Sequence, residues 1–215
     1  MNKNGFYVAY FLSPLVPIVI YLVSLGTPID LYAFSVILGI GAFTFLCNQF
    51  LLAARPGWAT KALGLKPLIR FHSTMPVVIA ALALAHETMK EMAGLDTESP
   101  QAKFGEASLI LLVAVIAFTV LFMATTFLMD IELLKKLRTW VYARTGLDYK
   151  KSRALHNFTV VLAPLLLVHV LLASSSRFAA NPVGMLTLAG WMVFSLGSYL
   201  RYRLKGRQIK SKKGA

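Results

Sequence analysis

The chain of 215 residues contains four histidines, and they fall into two similar apolar runs. Thirteen residues separate His72 from His86, and twelve separate His156 from His169. At about 1.5 Å of rise per helical residue, the two histidines of each run are roughly 20 Å apart along a helix. Each run therefore places one histidine near each face of a hydrocarbon core about 30 Å thick.

Neutral imidazole is a strong iron ligand, and a six-coordinate b-type haem takes two axial nitrogens from opposite sides. Two helices with two histidines each can therefore hold two b haems. We expect His72 to pair with His156 near the cytoplasmic face and His86 to pair with His169 near the outer face. Two other interpretations stay open at this point: interfacial histidines bonded to neighbours or water, and a bare metal site that begins at His86 and Glu87.

The elements that must position these histidines are long apolar helices. The chain is 57% hydrophobic and only 14% charged, which excludes an ordinary soluble domain. We predict an all-α membrane protein with a single domain, a bundle of six transmembrane helices and a basic tail at 201–215. Gly39 and Gly41 are expected to allow close helix contact in the second span. The predicted spans are about 6–25, 31–54, 70–89, 107–129, 154–174 and 183–200.

The net charge is +13, and the charged residues are distributed along the chain as in a membrane protein with alternating inner and outer loops. Of the 22 lysines and arginines, only Lys90, Lys103 and Arg177 fall in the segments assigned to the outer side. This positive-inside distribution predicts that both termini are cytoplasmic, in a multi-pass protein of the bacterial inner membrane. The charge therefore requires no nucleic acid. Cys47 is the only cysteine, which excludes an internal disulfide and a cysteine-ligated iron–sulfur cluster.

The spacing of the second histidine run poses a geometric problem. On an ideal helix His72 and His86 are about 40° apart around the helix axis, whereas His156 and His169 are about 140° apart. A bend at Pro164 or a π-bulge would bring the second pair back into phase. We therefore expect a distortion in the fifth span.

The two histidine runs, on the third and fifth of six spans, resemble the ferric reductase-like transmembrane domain. This superfamily includes NADPH oxidases, ferric reductases and the haem-binding subunit of the methionine sulfoxide reductase system. The run Leu155-His156-Asn157-Phe158 with His169 is most similar to the last group. The resemblance covers roughly 55–174 and implies that the four histidines are axial ligands of two b haems. It also implies electron transfer from a cytoplasmic reductant to an outer acceptor.

Several further expectations concern cofactors and partners. Arg70 and Arg153 near the inner face, and Arg177 with Lys103 near the outer face, are candidates to bind haem propionates. No Gly-rich nucleotide fingerprint is present, so a separate flavin reductase or dehydrogenase would supply electrons, and no feature indicates bound FMN or FAD. The acceptor would be an extracytoplasmic partner reductase, ferric iron or oxygen. The alternatives are a quinol-oxidising dihaem anchor of a respiratory complex and, more remotely, a non-redox transporter or scaffold.

Overall fold

A computed structural model describes residues 2–26, 29–123, 131–146, 148–173 and 180–212. Within these ranges the secondary structure is helical, which confirms the all-α class. The helices are α1 (Lys3–Leu12), α2 (Leu15–Leu25), α3 (Leu31–Ala53), α4 (Gly57–Leu63), α5 (Leu65–Met92), α6 (Pro100–Phe122), α7 (Glu132–Thr145), α8 (Tyr149–His156), α9 (Thr159–Leu172) and α10 (Pro182–Lys212).

Six helical segments of the described chain are long and apolar enough to cross a membrane, as the sequence predicts. Two of them are interrupted: α1 and α2 are separated at Ser13 and Pro14, and α8 and α9 at Asn157 and Phe158. This architecture is compatible with a multi-pass membrane protein. The segments are Lys3–Leu25, Leu31–Ala53, Leu65–Met92, Pro100–Thr119, Lys151–Leu172 and Pro182–Lys205.

The fourth of these helices begins earlier than the hydropathy pattern predicts. Its first residue is Pro100 rather than a residue near 107, because Ser99 forms an N-cap and accepts a hydrogen bond from the Ala102 N–H at 3.2 Å. Proline is favoured at the first helical position, where its missing N–H has no intrahelical partner to lose. The helix ends at Phe122, and the last part of the predicted span, 124–129, lies outside the described residues.

Helix α3 forms the centre of the bundle. Over its most apolar window 72% of the residues are buried, against at most 28% in the other five segments. Polar residues on this helix find partners on its neighbours: the Asn48 amide donates to Ser13 Oγ at 2.8 Å and its oxygen accepts from Trp191 Nε1 at 3.1 Å. Buried polar groups that are satisfied in this way hold α10 and the α1–α2 junction against α3.

The bundle consists of two closely packed helix pairs with a gap between them. Among the described helices, α5 packs along α3 and α9 packs along α6, while α10 covers α3 and α9. Helix α5 is not closely packed against α8 or α9, although these are the helices that carry the histidines. The histidine side chains therefore extend across a space that the helix backbones leave open.

The two ends of the bundle differ in charge. We call the end with Arg55, Lys61 and Lys66 the basic end, and the end with Glu87, Glu91, Glu98 and Glu106 the acidic end. At the basic end α7 caps α6, because the Arg138 side chain donates to the Leu121 carbonyl and the Tyr142 hydroxyl donates to the Phe122 carbonyl.

Candidate metal centres between two helices

The four histidines form two pairs across the gap between α5 and α8–α9. The rings of His72 and His156 face each other at the basic end, with centroids 6.5 Å apart and planes at 84°. The rings of His86 and His169 do the same at the acidic end, with centroids 6.3 Å apart and planes at 80°. These are the pairs that the sequence analysis expects.

The ring separations are those of two imidazoles that share one metal ion. A metal–imidazole bond is about 2.0–2.1 Å long. Ring bonds near 1.33 Å place each nitrogen about 1.1 Å from its ring centre. Two rings on opposite sides of one ion would therefore have centroids roughly 6.2–6.4 Å apart. Both observed pairs lie close to this value.

A short helix break at Asn157 and Phe158 changes the phase of the second histidine run. Asn157 and Phe158 have ψ angles of −13° and −14°, and their N–H groups bond to carbonyls three residues earlier. Each residue in such a 3₁₀-type turn advances about 20° further around the axis than an α-helical residue does. This extra rotation reduces the mismatch between His156 and His169. Pro164 itself lies inside α9, which continues through it.

Both histidines at the acidic end are held by a backbone carbonyl of a neighbouring helix. His86 Nδ1 lies 2.7 Å from the Ser35 oxygen on α3, and His169 Nδ1 lies 2.9 Å from the Gln101 oxygen on α6. A carbonyl oxygen can only accept, so each Nδ1 carries the proton and donates it. The Nε2 lone pair of both rings is therefore free for a metal.

A glycine makes each of these two hydrogen bonds possible. A Cβ atom at Gly39 would lie 2.9 Å from the His86 ring, and one at Gly105 would lie 2.8 Å from the His169 ring. In both helices the accepting carbonyl belongs to the residue four positions before the glycine, Ser35 or Gln101. We call each such glycine and carbonyl a histidine cradle. The expected close contact at Gly41 is absent, since a Cβ atom there would meet nothing within 4 Å.

The histidines at the basic end have different partners. His156 Nδ1 lies 2.9 Å from the Thr119 hydroxyl on α6. His72 Nδ1 is buried and has no hydrogen-bond partner among the described residues. A buried nitrogen without a partner costs free energy, about 1–3 kcal/mol for a donor of this kind. The pair at this end is therefore less firmly oriented by hydrogen bonds than the pair at the acidic end.

Two cavities meet at the acidic-end pair. One has a volume of about 560 Å³ and includes the charged side chains of Glu87, Glu106 and Lys103 in its lining. The other has a volume of about 100 Å³ and is lined mainly by apolar residues such as Ile40 and Phe43. His86 and His169 border both cavities. A flat ligand with an apolar body and a polar edge fits such a site, with its body among the apolar residues and its edge on the polar side.

Lys90 is a site residue that the sequence pattern indicates only as one of the cations on the outer side. It is 3% exposed, borders both cavities, and its Nζ lies 3.4 Å from the centre of the Tyr32 ring. None of the ion pairs in the described part of the chain includes it. A buried cation is costly without an anionic partner, so its position favours an anionic group in the cavity. Lys90 is four residues after His86, and residues with this spacing lie on the same face of a helix, so the sequence does contain a signal that Lys90 is near the site.

Two of the three arginines proposed from the sequence lie at the protein surface. Arg70 and Arg153 are exposed, and Arg177 lies outside the described residues. The proposed contact of Arg70 and Arg153 with haem propionates stays a prediction. Arg55 acts electrostatically on His72 and Arg203 acts on His156. Lys103 is bound to Glu98 at 2.6 Å.

No larger cluster of ligating side chains accompanies the pairs. Within the part of the chain that the structure describes, no three histidine, cysteine, aspartate or glutamate side chains gather in a way that could hold a metal ion. Cys47 is buried against the Met192 sulfur at 3.9 Å. A zinc site would need further protein ligands, whereas a haem supplies four nitrogens of its own and needs only the two histidines.

No family model, curated protein or solved structure matches this chain. The resemblance to the ferric reductase-like transmembrane domain therefore stays a prediction, which depends on the spacing of the four histidines.

Proposed function

We propose that this chain is a b-type cytochrome subunit that carries single electrons across a membrane through two haems, each held by two histidines. One observation carries the proposal: two histidine pairs lie at opposite ends of a gap between apolar helices. Within each pair the two rings face each other, with centroids 6.5 Å apart in one pair and 6.3 Å in the other. This separation is what a shared metal ion requires of two imidazoles. Two such pairs on the same two spans support a two-step path.

The residues of the chain have distinct roles in this proposal. His72, His86, His156 and His169 ligate iron, and the two cradles orient the acidic-end rings. The apolar walls exclude water, and Lys90 offers a positive charge to a propionate. The haem supplies the one-electron chemistry when bound. His72 with His156, and His86 with His169, would each hold one haem without any further ligand from the protein.

The charge distribution supports a direction for this transfer. We propose that the basic end faces the cytoplasm of a bacterium and the acidic end faces outward, as the positive-inside pattern predicts. The chain would receive electrons at the basic end from a separate flavin reductase. It would pass them at the acidic end to a partner reductase, ferric iron or oxygen. The resemblance to the ferric reductase-like transmembrane domain supports the same direction.

Haem content is the direct test of this proposal. Protein purified in detergent should contain two b haems per chain by the pyridine haemochrome method. The ferric protein should give strongly anisotropic low-spin signals in electron paramagnetic resonance, because perpendicular imidazole planes leave two iron d orbitals nearly equal in energy. Folded protein without haem would refute the proposal. Rapid reduction by a quinol alone would instead favour the respiratory-anchor alternative.

A lysine substitution tests the propionate role. We expect Lys90→Met to weaken haem retention at the acidic end on the order of tenfold, because the variant lacks the buried cation that would pair with a propionate. The measurement is the rate of haem loss to an excess of a haem-scavenging protein. Lys103→Met is the matched control, since Lys103 lines the same cavity but is paired with Glu98. Equal rates in the two variants would remove Lys90 from the site.

A further inference from the structure

The two histidine pairs differ in how the neighbouring helices hold them. At the acidic end both rings donate to helix carbonyls, and each carbonyl is reached past a glycine. At the basic end one ring contacts a hydroxyl and the other has no partner among the described residues. The sequence spacing of the histidines gives no sign of this difference, because the partners lie on α3 and α6.

Hydrogen bonds of this kind change the electronic character of a ligand. An imidazole whose Nδ1–H donates to a carbonyl becomes a more basic ligand at Nε2. A more basic ligand stabilises the more positive, ferric state of iron and so lowers the reduction potential. A hydroxyl is a weaker acceptor than an amide carbonyl, so it raises the basicity of the ring less. A ring without a hydrogen-bond partner has no such increase in basicity. The acidic-end site therefore favours ferric iron more than the basic-end site does.

The net negative charge of the acidic-end cavity acts in the same direction, and Lys90, which acts on both histidines at that end, opposes it. Four glutamates line the cavity beside the acidic-end pair, against the two lysines Lys90 and Lys103. Arg55 and Arg203 act on the basic-end pair. Negative neighbours stabilise ferric iron and positive neighbours stabilise ferrous iron, by Coulomb's law. The four glutamates are Glu87, Glu91, Glu98 and Glu106.

We propose that the two haem sites are unequal and that the site between His86 and His169 has the lower midpoint potential, because the histidine cradles at Gly39 and Gly105 make both of its ligands more electron-donating. This inference rests on the proposed haem binding. Gly39 and Gly105 are positioning residues: they act on iron only through the rings that they admit. Thr119 has the corresponding, weaker role at the basic end.

A potentiometric titration of the reduced haem absorbance tests the inference. The wild-type protein should titrate in two one-electron steps. Gly39→Ala displaces the His86 ring from the Ser35 carbonyl, so the lower step should rise in potential or disappear with its haem, while the upper step stays in place. A tenfold loss of preference for ferric iron corresponds to a rise of about 59 mV for a one-electron couple. Gly105→Ala should have the same effect through His169.

The chain offers a matched control for each substitution. Gly41→Ala lies on the same helix as Gly39 and places its methyl group in open space, so both steps should be unchanged. Thr119→Val removes the hydroxyl that contacts His156 at similar side-chain volume and should shift only the upper step, and Thr119→Ser should restore it. Circular dichroism confirms that each variant is folded, and the Thr119 pair tests the assignment even if a glycine variant does not fold.

Two sets of results would overturn the inference. A single two-haem step in the wild-type protein would show that the sites are equal. A shift of the upper step by Gly39→Ala or Gly105→Ala, or equal behaviour of Gly39→Ala and Gly41→Ala, would show that the cradles do not set the lower potential. Both results need bound haem, so they differ from a failure of the proposed function, in which no haem would be present to titrate.

Discussion

His169→Ala should leave the protein with one haem instead of two. The substitution removes one of the two axial ligands at the acidic end, and the structure offers no nearby histidine as a replacement within the described residues. His72→Ala should likewise remove the basic-end haem alone. The pyridine haemochrome content per chain would fall by half in each variant. This is the largest effect that a single substitution is expected to have on the proposed function.

The control for His169→Ala is a neighbouring apolar residue on the same helix. Val168 is 38% exposed and borders neither of the two described cavities, so Val168→Ala should keep both haems. Retention of two haems in His169→Ala would show that this histidine is not an axial ligand. Loss of both haems in folded protein would show that the sites depend on each other, contrary to their separation at opposite ends of the bundle.

Combining two substitutions should reveal which histidines share a haem. His86→Ala with His169→Ala should cost one haem in total, no more than either change alone, because both residues serve the same site. His86→Ala with His156→Ala should remove both haems, because these residues belong to different sites. Reduced-minus-oxidised spectra and haem content, measured on the same preparations, distinguish the two results.

The pairing would be wrong if these results were exchanged. Loss of one haem from the His86 and His156 combination, with loss of both from the His86 and His169 combination, would require ligation across the length of the bundle. A useful reference is the combination of His72→Ala with His86→Ala. Both residues lie on α5, one in each pair, so this protein should contain no haem.

Much of the fold could be predicted from the sequence, because a membrane helix is identified by length and apolar composition alone. The six spans and the all-α class follow from these properties. Helix ends were harder to predict, because they depend on local capping. Helix α6 begins at Pro100, well before the continuous apolar run, because Ser99 forms its N-cap. The capping residues indicate this start, whereas hydropathy does not.

The site was only partly accessible from the sequence. Histidine type and spacing indicated the ligands, but the helical phase of His156 and His169 depends on a short turn at Asn157 that no periodicity predicts. Gly39, Gly105 and Thr119 act on rings that belong to other helices, so their roles depend on how the helices pack. In the sequence Lys90 has the features of an interfacial cation, and its burial in the structure identifies it as a site residue.

The unequal midpoint potentials proposed for the two haem sites have a consequence for bioenergetics. An electron that moves from the basic-end site to the acidic-end site would move toward lower potential, which is unfavourable in isolation. In the proposed orientation the same electron moves toward the positive side of an energised membrane, where the voltage contributes about 2.3 kcal/mol per 100 mV for a complete crossing. Most of that voltage falls across the roughly 20 Å between the two pairs. Turnover would then depend on the protonmotive force, and a depolarised cell would conduct electrons outward more slowly than a respiring one.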